Sequence, residues 1–82
     1  MDFSAEKVYR NIRSLAKMQK RGMNELERAV GTYPGYCLGH QQRTANHGYR
    51  SGKDGPNLEI IWRFSRELGV TINDLIEKEY GE

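Results

Sequence analysis

Residues 24–43 read NELERAVGTYPGYCLGHQQR, and the punctuation of this stretch decides the fold. Asn24 is a helix N-cap type, and Glu27, three residues on, can reach back to the Asn24 backbone N–H as in a capping box. Leu26, Ala29 and Val30 form one apolar face at helical spacing. Gly31 stands where that helix stops, because glycine takes the left-handed conformation without a Cβ penalty. Pro34 is pre-set for the first turn of a second helix, expected from about Pro34 to Arg43. Thr32 is a better cap for it than Tyr33. Gly35 and Gly39 each cost about 1 kcal/mol in a helix interior, so this helix is expected to be short. Those glycines either admit a partner's close approach or mark a loop. Two short helices about a tight turn make a helix-turn-helix, a unit that can hold one helix out toward the DNA major groove.

The flanking sequence supplies the support. Upstream, Ser4 is a cap for a first helix, and Val8, Ile12, Leu15 and Ala16 fall on one face of it. Arg10, Arg13, Lys17 and Lys20 lie opposite, at about 100° per residue. That stripe is either a solvated face or a phosphate-facing rim, and it ends at the turn Arg21-Gly22. Downstream, residues 44–56 (TANHGYRSGKDGP) form a long polar connection. Its cations Arg50 and Lys53 either close over a DNA backbone or belong to a plain solvated loop. A fourth helix is expected from Pro56, with Leu58, Ile61, Phe64 or Ser65, and Leu68 facing inward, Trp62 to the side, and Gly69 as the stop. The last helix begins around Thr71, with Asp74 placed for a capping-box contact. Val70, Ile72, Leu75 and Ile76 then close the core, and the tail from Glu79 to Glu82 is expected to fray. The chain is thus read as all-α, five helices in one domain.

Length and composition agree. Eighty-two residues make one small domain. No apolar run approaches the roughly 20 residues of a membrane span, and the N-terminus does not read as a secretory signal. The single cysteine, Cys37, excludes an intrachain disulfide framework and fits a reducing, cytoplasmic setting. Net charge is only +2. Its distribution is uneven, basic from Lys7 to Arg21 and acidic toward the C-terminus, which can orient a domain on a polyanion. Cys37, His40 and His47 lack the fourth ligand and the paired cysteines of a zinc site. Cys37 and His40 lack an orienting acid for nucleophilic catalysis. No enzyme activity, cofactor or small-molecule substrate is expected, and Cys37 reads as a small core residue.

The motifs Pro56-Asn57-Leu58, Phe64-Ser65, Leu68-Gly69-Val70-Thr71-Ile72 and Asp74-Leu75-Ile76 resemble the last two helices of the Cro/CI-like (XRE) family of helix-turn-helix regulators. Glu25-Leu26-Glu27, Gly31 and Gly35-Tyr36 are similar to one branch of it. The resemblance implies a compact lambda-repressor-like bundle that binds double-stranded operator DNA as a regulator, of the kind found in phages and mobile elements. It implies that Asn24 meets phosphate at the start of the second helix. The exposed side of the third helix would be drawn from Tyr33, Gly35, Tyr36, Leu38, Gly39, Gln42 and Arg43, with Arg50 and Lys53 holding phosphates. Three residues depart from the family pattern: Glu27 where a small residue is usual, and Cys37 and His40 where bulky apolar ones are. A protein-interaction module or antitoxin with weakened DNA readout is the alternative. A homodimer formed through the domain itself and a monomer that pairs only on DNA both agree with the sequence.

Overall fold

The computed structural model describes residues 4–47 and 57–80, and these are helical with no strand among them. The five helices are α1 (Ala5–Met18), α2 (Met23–Ala29), α3 (Tyr36–His47), α4 (Leu58–Leu68) and α5 (Ile72–Glu77). Helix α1 is the hub, touching all four others and packing most extensively on α3. Its Val8, Tyr9, Ile12, Leu15 and Ala16 are buried. They meet Leu26 and Val30 beside α2, Tyr36 and Cys37 of α3, Ile61, Phe64 and Leu68 of α4, and Leu75 of α5 in one core.

The helix ends follow local chemistry. Ser4 caps α1, its hydroxyl accepting the Lys7 N–H at 3.1 Å, an interaction worth roughly 1 kcal/mol. Asn57 caps α4 through the Ile60 N–H. Thr71 and Asp74 form a complete capping box at α5, and those hydrogen bonds hold the Asp74 carboxyl below its usual range. Helix α2 ends in a Schellman motif. The Gly31 N–H donates to the Arg28 carbonyl and the Thr32 N–H to the Glu27 carbonyl, with Gly31 at φ +93°. Helix α1 ends the same way one residue before the expected Arg21-Gly22 turn: Lys20 takes the left-handed conformation at φ 59°, and the Arg21 N–H reaches the Ala16 carbonyl.

Gly31 is doubly constrained. A Cβ there would lie 2.8 Å from Arg63 Nη1, and that nitrogen donates to the Val30 carbonyl at 3.1 Å. Gly31→Ala must accept a left-handed alanine, at roughly 1–2 kcal/mol, and displace Arg63 from a carbonyl at a helix end. We expect a loss of about 2 kcal/mol by chemical denaturation; a loss below about 0.5 kcal/mol would show that the turn relaxes freely.

Several expectations are corrected. Asn24 does not cap α2. Gly22 holds that position, with no side-chain cap bond, and Glu27 is turned inward instead of back toward Asn24. Helix α3 neither begins at Pro34 nor ends at Arg43: Pro34 and Gly35 lie in the turn before it. Only Gly39 interrupts it, and no further glycine or proline occurs until Gly48, so the helix runs on to His47. Leu58 is 72% exposed, because the opening turn of α4 projects past the core. Asn11 Nδ2 donates to the carbonyls of Leu75 at 2.8 Å and Lys78 at 2.7 Å, while its Oδ1 accepts the Tyr80 N–H. The chain just after α5 is therefore held rather than frayed, and Tyr80 packs against the core. Gly81 and Glu82 lie outside the described residues.

Candidate nucleic-acid interface

The surface singled out by the sequence is built on residues 30–35 and α3. The residue at the N-cap position of α3 is Gly35, at φ +90°, which has no side chain to accept from the helix. The missing acceptor comes from α2. Glu27 is almost fully buried, and its Oε1 accepts the Gly35 N–H at 2.8 Å while its Oε2 accepts the Cys37 N–H at 2.9 Å. A carboxylate there satisfies N–H groups the helix cannot pair itself, and its charge opposes the positive end of the helix dipole. The backbone carbonyl of the same residue receives both the N–H and the hydroxyl of Thr32, at 2.9 and 2.8 Å. One residue thus closes α2 and opens α3. The acid at a position expected to be small is accounted for by the hydrogen bonds it makes.

The inner side of α3 is aromatic. The Tyr36 ring lies 4.3 Å from the His40 ring, 6.1 Å from Tyr9 and 6.4 Å from Phe64, centroid to centroid. Tyr36 is only 8% exposed, which corrects its assignment to the outer face. Its ring faces the core because α3 begins there and the first turn rests on α1. Burial raises the Tyr36 phenol pKa and raises that of Tyr9 further; the Tyr9 hydroxyl meets no hydrogen-bond partner among the described residues.

Cys37 is fully buried, as expected of a small core residue. Burial, reinforced by the neighbouring Glu27 charge, pushes its thiol well above its ordinary value. Folded, Cys37 and Tyr9 stay neutral, whereas the unfolded chain ionises from the ordinary values of 9.0 and 10.0. Their contribution to stability is therefore complete below about pH 9 and falls as pH rises beyond it. The urea midpoint should drop between neutral and strongly alkaline buffer, with a smaller drop in Cys37→Ala; equal drops in both would remove Cys37 from the account.

The outer side carries the remaining candidates. Tyr33, Leu38, Gln42 and Arg43 are exposed. Leu38 and Gln42 are one turn apart on the same stripe. Gly39 is half-buried, and the Arg43 guanidinium lies over it, 3.4 Å from where a Cβ would stand. A side chain at Gly39 would meet Arg43 only at ordinary contact distance. Tyr33 and Gly35 are exposed in the turn before α3, and Asn24 is exposed in the first turn of α2. Arg50 and Lys53 lie outside the described residues.

The cationic stripe of α1 divides. Arg13 Nη1 donates to Gln41 Oε1 at 2.7 Å, tying α1 to α3, and Arg10 pairs with Glu6 at 3.3 Å. Lys17 and Lys20 are exposed and form no ion pair among the described residues, and they lie just ahead of the start of α2. Arg21 pairs with Glu67 and also donates to its carbonyl. Among the described residues no group of three or more His, Cys, Asp or Glu is placed to hold a metal, and no helix is long and apolar enough to cross a membrane.

Comparison of the chain with family models, curated proteins and solved structures gives no match. The resemblance to Cro/CI-like regulators therefore rests on the motif residues quoted above.

Proposed function

We propose that this chain is a sequence-specific DNA-binding transcriptional regulator of the Cro/CI-like kind. In this reading α2 and α3 act as a helix-turn-helix within a lambda-repressor-like bundle, and α3 enters the major groove. The observation that carries the reading is the division of α3. Tyr36 and Cys37 are buried and Glu27 grips the first turn, while Leu38 and Gln42 stand on the outer stripe and Arg43 is exposed. The outward chemistry suits base edges. An amide can pair with adenine N6 and N7, a guanidinium with guanine O6 and N7, and an apolar side chain can meet a thymine methyl. Asn24, Lys17 and Lys20 are placed near the start of α2, where phosphate contacts would fix register without reading sequence.

The test is fluorescence anisotropy with a random-sequence duplex across a salt series. Several phosphate contacts give a logarithmic slope of roughly −0.9 for each one. No binding at low salt sinks the reading.

A second reading, a protein-interaction module on the same fold, draws on α4. Leu58 is 72% exposed and Trp62, the only tryptophan, 47% exposed, with the Arg66 guanidinium 5.0 Å over its ring. A change in Trp62 emission on adding a protein partner, with none on adding DNA, would favour it.

A further inference from the structure

We infer that Glu27 is a positioning residue for DNA recognition: it sets how α3 is presented relative to α2, and so converts general phosphate affinity into sequence discrimination. The inference rests on the proposed function and adds a residue that touches no DNA.

Three observations on one residue carry it. Glu27 is a nearly fully buried acid whose two oxygens are each used, one on Gly35 and one on Cys37. These N–H groups stand on either side of the first residue of α3, so the carboxylate fixes the direction of the helix axis as well as the position of its end. The Glu27 carbonyl is meanwhile fixed by Thr32 from within the α2 stop. Both ends of the connection, residues 30–35, are thereby referred to one residue. An apolar residue of similar volume would fill the space but offer no acceptor, and a first turn without acceptors can tilt or fray. Base-edge contacts tolerate displacement poorly, because bidentate pairing is geometrically strict, whereas a cation is attracted to phosphate over a range of positions. Tilting α3 should therefore cost discrimination more than bulk affinity.

Glu27→Gln is the informative variant. It has nearly the same shape, but its amide nitrogen cannot accept, so one of the two N–H groups loses its partner. Thr32→Val is the control. It removes the hydroxyl bond to the Glu27 carbonyl and leaves the carboxylate in place. Each variant is first checked by circular dichroism and by amide exchange at Gly35 and Cys37, then titrated with a selected-site duplex and a random duplex at one salt concentration.

Folded Glu27→Gln is expected to lose at least tenfold in affinity for the selected site while random-duplex affinity and salt slope stay within twofold, with faster exchange at Gly35 or Cys37. Thr32→Val is expected to keep the wild-type ratio of selected to random binding even where its melting temperature falls. An unchanged ratio in folded Glu27→Gln, or an equal fall of the ratio in Thr32→Val, overturns the positioning role and leaves the proposed function standing. If Glu27→Gln does not fold, Glu27→Asp keeps the charge on a shorter arm and is read by the same ratio. A wild-type chain that binds neither duplex overturns the proposed function and this inference with it.

Discussion

Asn11→Asp is expected to destabilise the fold by about 3 kcal/mol. Asn11 is buried against the end of α5, its amide nitrogen donating to two carbonyls, of Leu75 and Lys78, and its oxygen accepting from Tyr80. Aspartate keeps the shape and the acceptor but turns the double donor into an oxygen facing two carbonyl oxygens. Buried carbonyls left without donors, and a carboxyl without water, each cost more than an ordinary hydrogen bond contributes. For a domain of this size each kcal/mol moves the melting temperature by roughly 4–8 °C. Asn11→Asp should therefore melt about 12–24 °C lower, and the Tyr80 amide should exchange faster in native conditions. A shift of a degree or two, with Tyr80 still protected, would mean that the contacts of α1 with α5 hold the C-terminal segment without Asn11.

The second large effect concerns Gln42 and Arg43. Each good bidentate base contact is worth roughly 1–3 kcal/mol of discrimination, so alanine at either position should weaken binding to the selected site by about 5- to 150-fold. The two changes differ in kind. Gln42→Ala removes no charge, and its salt slope should equal that of the wild type. Arg43→Ala should reduce the slope by about one if its guanidinium meets phosphate and leave it unchanged if it reads guanine. Circular dichroism should show both variants folded, since both side chains are exposed. If the double variant binds the selected site as the wild type does, the base-reading surface lies elsewhere.

The α-helical class and most helix boundaries were legible because their signals are local. The apolar spacing of Val8, Ile12, Leu15 and Ala16, the Ser4 cap, the Thr71–Asp74 box and the stops at Gly31 and Gly69 are each encoded within one or two turns. The misread features depend on groups far apart in sequence or on where the chain has already turned. Asn11 stands among core positions of α1, and its partners are backbone groups more than sixty residues on. Capping-box spacing points Glu27 backward, toward Asn24, although it falls on the inner face with Leu26 and Val30. A signal was available: an acid on a buried face, followed by a helix start whose cap position is a glycine without a side-chain acceptor. Tyr36 belongs outside only if it shares a stripe with Leu38, but two residues on a helix lie about 200° apart, and the register that exposes Leu38 turns Tyr36 to the core.

That same register limits how far the interface could be read. With α3 beginning at Tyr36, Leu38 and Gln42 face outward and Tyr36 turns to the core, while Arg43, two turns on from Tyr36, is exposed beside that face with its guanidinium over Gly39. The outward set is small, and Gln41 beside it ties α3 to the cationic side of α1 through Arg13. Lys17 and Lys20 are the exposed remainder of that stripe, which narrows the proposed phosphate-facing rim to the junction of α1 and α2.

The most direct test of the account is an amide-resolved NMR titration of the chain with a selected-site duplex. Entry of α3 into the groove predicts shifts concentrated at Lys20 to Asn24, at Tyr33 and Gly35 to Gly39, and at Gln42 and Arg43, with Leu58, Trp62 and Arg66 on α4 unmoved. Shifts confined to α4 and α5, or none at a duplex excess in low salt, would contradict it.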